Sequence, residues 1–122
     1  KPGGSIIRAA ECWDGVPEHG EYWQLLGLAS NPKEMLALIS TFDPPRQDQW
    51  QMQAQAQVQL KADVYLKSSY LEPATIERAM LHVCASVEDT VAALLRRYGP
   101  DATICVLPEG PMTIPYVAQN TY

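Results

Sequence analysis

The stretch 49-QWQMQAQAQVQL-60 constrains the fold more than any other part of the chain. Trp50, Met52, Ala54, Ala56, Val58 and Leu60 alternate with glutamines, a period of two that by itself marks a half-buried strand. Residue type points the other way, because Gln and Ala favour helices and are poor strand residues. A strand here would carry one face made only of Gln. Only Lys61-Ala62 would separate it from the next strand-like run, 63-DVYLKSS-69, forcing a tight hairpin without Gly or Asn. Wound as a helix, the same residues form two stripes. Trp50, Ala54 and Val58 fall at about 0°, 40° and 80°, and Met52, Ala56 and Leu60 at about 200°, 240° and 280°. The segment is therefore read as a helix with two apolar faces. Such a helix must touch two things: the sheet of its own domain, and a second layer, a domain or a ligand.

Strand and helix patterns alternate along the rest of the chain. The run 5-SIIRAAEC-12 is a short, nearly continuous apolar strand of the kind buried on both faces, and Trp13-Asp14-Gly15 turns away from it. A helical patch follows at Glu21–Leu28. In 31-NPKEMLALISTF-42, Asn31 can cap, Pro32 suits the first helical position and Glu34 has capping-box spacing. Its apolar face is Met35, Leu36, Leu38, Ile39 and Phe42, and Pro44-Pro45 stops it. Pro73 opens a helix through Ala79, and 81-LHVCA-85 is a third strand. Ser86 caps a helix with Glu88 and Asp89 in its first turn, a buried stripe of Val87, Val91, Leu94, Leu95 and Tyr98, and a stop at Gly99-Pro100. The run 102-ATICVLP-108 is the last strand, followed by the loop 109-EGPMTIP-115.

This alternation predicts an α/β fold. It is a Rossmann-like three-layer sandwich, with a mostly parallel sheet of about four strands and helices on both faces. Residues 1–122 form a single domain of ordinary size. In such sheets ligands gather beyond the carboxyl ends of the strands. Those ends are Glu11–Gly15, Lys67–Tyr70, Ala85-Ser86 and Pro108–Pro111.

With 47% hydrophobic residues the chain can build a core, and a net charge of −5 with no basic run argues against nucleic acid and anionic membrane as partners. No apolar stretch approaches the roughly 18 residues of a membrane span, and no signal-peptide pattern opens the chain. Three cysteines, Cys12, Cys84 and Cys105, form no CxxC and cannot all pair, which fits reduced thiols in a cytoplasmic protein. Lys1-Pro2-Gly3-Gly4 is a turn without an initiator methionine and a strand follows at once, so the expectation is a piece of something longer.

Chemistry-bearing motifs are sparse. His19 and His82 are far apart in sequence, and no spacing suggests a metal site. There is no GxGxxG and no GxSxG elbow. Cys12 and His19 are near in sequence, but nothing else marks them as a nucleophile and its base. Glu11 and Asp14 flank the end of the first strand, where they could work as acid and base or simply hold turn amides, and Glu109 has a similar position. Trp50 opens the two-striped helix. It fits a cleft, where indole packs on apolar ligand groups, as well as it fits a core.

Taken together, KPGGSIIRAAECWDG at the start, DQWQMQ in the middle and ATICVLPEGPMTIPY at the end resemble the C-terminal part of the nickel-dependent lactate racemase (LarA-like) family. The resemblance spans almost the whole chain. It implies a two-domain isomerase, a racemase or epimerase of 2-hydroxy acids acting by hydride removal and return with a nickel-pincer nucleotide tethered to a lysine. In that family the tethering lysine, the nickel-binding histidine and the acid–base histidines belong to the N-terminal part. A substrate-contacting Gln and Lys lie just before the KPGG turn.

The resemblance therefore implies no catalytic residue, no metal ligand and no bound cofactor in this chain alone. Trp50 matches an aromatic residue facing substrate and cofactor, and Met52 aligns with a neighbouring apolar position. Neither His19 nor His82 matches a catalytic histidine. The implied partners are the missing N-terminal catalytic domain and a small 2-hydroxy acid. The chain would form one wall of the interdomain site and be inactive alone. An exposed apolar stripe could also draw two copies into a homodimer. The competing expectation is a non-catalytic α/β interaction module. A free-standing nucleotide-binding domain is weaker, because the Gly-rich phosphate loop is missing.

Overall fold

The structure, a computed structural model, describes residues 2–17 and 19–114. Lys1 of the opening turn and Pro115 of the closing loop lie outside the described residues. Three strands make one parallel sheet: β1 (Gly4–Ala9), β2 (Ala62–Lys67) and β3 (His82–Val83), in the order β1-β2-β3. Gly4 stands against Ala62 and Ala9 against Lys67, while Tyr65 and Leu66 face His82 and Val83. Parallel neighbours need crossovers. Between β1 and β2 the chain makes α1 (Tyr22–Leu26), α2 (Pro32–Ile39) and α3 (Gln49–Gln59). Between β2 and β3 it makes α4 (Pro73–Arg78), and α5 (Val87–Tyr98) follows β3.

Local chemistry explains the helix starts. The Asn31 side chain accepts from the Glu34 amide at 2.9 Å, and Pro32 occupies the first turn of α2. The Glu34 carboxylate reaches back to the Ser30 amide at 3.0 Å, one residue earlier than a capping box requires. Ser86 caps α5 through the Asp89 amide at 3.0 Å, with Glu88 and Asp89 in the first turn and Arg96 and Arg97 in the last.

The glutamine-rich stretch is a helix. Met52 and Ala56 of its inner stripe are buried with Leu25, Leu26, Met35 and Ile39, while Leu60, expected in the same stripe, is exposed just past its end; the helix thus packs on α1 and α2 and only marginally on the sheet. The opposite stripe, Trp50, Ala54 and Val58, is exposed.

Three expectations fail. The first strand is not buried on both faces, since no residue of β1 is fully buried and Ile6 is exposed. The run 102–108 pairs with no strand among the described residues, and Ile104 and Val106 are exposed, so the sheet has three strands rather than about four. No residue of α5 is fully buried, and Leu95 and Tyr98 of its apolar stripe are exposed. A sheet that ends in the two-residue β3 is too narrow to cover a 12-residue helix. Two polar ties hold α5 in place: Tyr98 Oη to Ser5 Oγ at 2.7 Å, and Arg97 Nη1 to Asp63 Oδ2 at 2.6 Å.

Candidate functional site at the carboxyl end of the sheet

All three strands point the same way, and their exits are tied together. The Ala10 amide continues the ladder to the Lys67 carbonyl at 2.9 Å. Ser68 Oγ donates to the Glu11 carbonyl at 2.6 Å and accepts from the Tyr70 and Leu71 amides. Lys67 Nζ donates to the Ala85 carbonyl at 2.8 Å. Past β1 the chain turns sharply, with the Gly15 amide on the Cys12 carbonyl at 2.9 Å and Cys12 in the left-handed region at φ 53°. Trp13 projects from this turn with 72% of its surface exposed, and Tyr70 is exposed after β2.

Helix α3 returns to the amino end of the sheet, because its last residue precedes the start of β2 by only three positions. Its first turn therefore lies toward the carboxyl end. There the Asp48 carboxylate accepts from the Glu21 amide at 3.0 Å and from the Gln51 side chain at 3.2 Å. Arg46 closes an ion pair on Glu21 at 2.5 Å, and this bond holds the Glu21 carboxyl below its ordinary range. Next to the junction, burial pushes the Tyr22 phenol up. Trp50 stands at this end of α3, 68% exposed. Of the two roles left open for it, the core is excluded within this domain.

The profile of the lactate racemase C-terminal domain family matches residues 1–114. The chain belongs to that family. Its fold is similar to the structure of the lactate racemase apoprotein from Thermoanaerobacterium thermosaccharolyticum, with a TM-score of 0.79 at 22% identity. The match covers 93% of this chain and only 28% of that one. No curated protein matches the sequence.

Within this lactate racemase C-terminal domain, Trp50 and Met52 separate. Met52 has no exposed surface and is packed among Leu25, Leu26 and Met35. It cannot face a ligand from this domain, because two helix positions are about 200° apart and Trp50 takes the outer face. Its work is to seat α3.

Glu11 and Asp14 are exposed at the rim, and the bond that anchors Glu11 uses its main-chain carbonyl. Glu109 likewise works through its carbonyl, which accepts from the Met112 amide and the Thr113 hydroxyl. Because 102–108 pairs with no strand among the described residues, it does not extend the three-stranded sheet to carry Pro108–Pro111 to the site. His19 is exposed after β1, and His82 stacks on Tyr65 with ring centroids 4.8 Å apart. Among the described residues no three His, Cys, Asp or Glu side chains come together as a metal set.

The residues that sequence reasoning missed are those of the Glu21–Arg46–Asp48 junction. Asp48 was legible only as a charge near the helix start. Its partner lies 27 positions earlier, and no local pattern reports that.

Proposed function

We propose that this domain forms one wall of an interdomain active site in a lactate racemase-like enzyme that racemises or epimerises a small 2-hydroxy acid. The observation that supports this reading best is Trp50, a large indole left exposed at the carboxyl end of a parallel sheet, where α/β folds place ligands. In this reading the nickel-pincer nucleotide and the acid–base groups belong to an N-terminal domain, as the family resemblance implies, and no hydride step is assigned to this chain.

What this chain contributes is shape and dryness. The Trp50 indole packs on the apolar side of the substrate and excludes water from the reacting centre. Trp13 and Tyr70, exposed at the same end of the sheet, extend the surface that a second domain covers. Its three free thiols suit a reducing compartment such as the cytoplasm.

The test is enantiomer interconversion. The intact protein, given single enantiomers of a panel of small 2-hydroxy acids, should produce the opposite form of at least one of them by chiral chromatography. This domain alone should produce none. Full activity in the domain alone, or no interconversion of any acid by the intact protein, contradicts the proposal and favours an interaction module.

A further inference from the structure

We infer that Asp48 is the positioning residue for Trp50, its carboxylate clamping the first turn of α3 to the loop that leaves β1. The inference rests on the reading of Trp50 as a substrate-facing wall. An exposed indole has little packing of its own to fix its direction, so the helix start must fix it.

Asp48 occupies the position before α3, where a side chain ordinarily caps the next amides from an extended backbone. It does neither. Its backbone is left-handed, at φ 65° and ψ −1°, and its side chain makes no capping bond. Left-handed backbone is unfavourable for any residue but Gly, and is tolerated best by Asn and Asp. The helix thus goes without its best local cap. Instead the carboxylate is turned outward, to the Glu21 amide through Oδ2 and to the Gln51 side chain through Oδ1. A local rule broken at a point held by tertiary bonds is where positioning is expected.

The surroundings are built for this bond. Gly20 lies against Asp48 with φ +85°, and a Cβ there would collide with Asp48 Oδ2. Arg46 grips Glu21 from the other side, while its own amide donates to Gln49 Oε1 at 2.8 Å. Residues 46, 48, 49 and 51 therefore bracket Trp50, and two of them bind Glu21.

Three substitutions in the intact, cofactor-loaded protein separate the parts of the clamp. Asp48→Asn keeps an acceptor and tolerance of left-handed backbone. Asp48→Gly keeps only the backbone freedom. Asp48→Ala keeps neither. Misplacing a positioned group by about 1 Å can cost on the order of 100-fold. Asp48→Gly and Asp48→Ala should therefore lose about 10-fold or more in kcat/KM, with Asp48→Asn within about 3-fold of the parent. Gly20→Ala, which crowds the Asp48 carboxylate and also strains the left-handed backbone at residue 20, should reproduce the loss.

The direct readout is fluorine NMR of 5-fluorotryptophan, with the Trp50 signal assigned by Trp50→Phe. That signal should move in the Gly and Ala variants and hold in the Asn variant. If Trp50→Ala abolishes activity while Asp48→Gly and Asp48→Ala keep both activity and the Trp50 signal, the clamp is overturned and the Trp50 reading stands. If Trp50→Ala is harmless, that reading fails. The NMR signal then decides the clamp alone, and an unmoved signal overturns it.

Discussion

The side-chain amide of Gln55 donates to the main-chain carbonyl of Ala79, 2.6 Å away across the gap between α3 and the end of α4. The same side chain accepts from the Tyr22 hydroxyl at 2.6 Å, and one turn on Gln59 donates to the Met80 carbonyl at 2.5 Å. These bonds answer carbonyls that have no other partner among the described residues in the turn after α4. Gln53 and Gln57 face outward and are exposed.

The glutamines should thus divide by face. Gln55→Leu leaves the Ala79 carbonyl and the part-buried Tyr22 hydroxyl without this partner, and should cost about 1–3 kcal/mol. Gln53→Ala should stay within about 0.5 kcal/mol. Urea denaturation midpoints check both. Equal effects would mean that the ladder serves only helix propensity.

Acid should weaken the junction beside Trp50. The Arg46 hydrogen bond makes Glu21 more acidic in the fold than its ordinary value of 4.5. The pair's contribution is therefore complete above that value and disappears as pH falls through the lower folded value. Thermal unfolding should show a steeper drop below pH 4.5 in the parent than in Glu21→Gln, and the difference should shrink with added salt because the pair is partly exposed. Parallel curves for the two proteins would remove Glu21 from the acid response.

The thiols report on the segment after α5. Cys105 is exposed, Cys12 half-buried and Cys84 buried. An aromatic disulfide reagent should titrate Cys105 first and Cys84 only on unfolding. Protection of Cys105 equal to that of Cys84 would show residues 102–108 covered in solution.

Much of the fold was legible because its signals are local. Asn31, Pro32 and Glu34 announce α2, Ser86 announces α5, and the 200° separation of Trp50 from Met52 makes the glutamine ladder a helix with unlike faces. That same angle argues against placing both residues at one site, although the family pattern sets them side by side. The strand at 102–108 was misjudged because β-propensity expresses fit to a neighbour, and the run Ile104–Leu107 has no neighbouring strand among the described residues. The α5 stripe was misjudged for a related reason. Its periodicity is right, but how much it buries depends on the width of a sheet that the helix does not encode. At the start of α3, Glu21 is bonded to both Asp48 and Arg46, and pairings that distant leave no periodic trace.

The central claim is that Trp50 serves the reaction and Met52 serves the fold. Activity and melting temperature of Trp50→Ala and Met52→Ala, measured side by side in the intact protein, test it most directly. Met52→Ala opens a cavity in the core and should cost about 2–5 kcal/mol of stability. Trp50→Ala removes a mostly exposed side chain, so it should melt within a few degrees of the parent while its racemase activity falls at least about 10-fold. A Trp50→Ala protein with parental activity, or one whose lost activity is matched by a comparable loss of stability, would contradict the account.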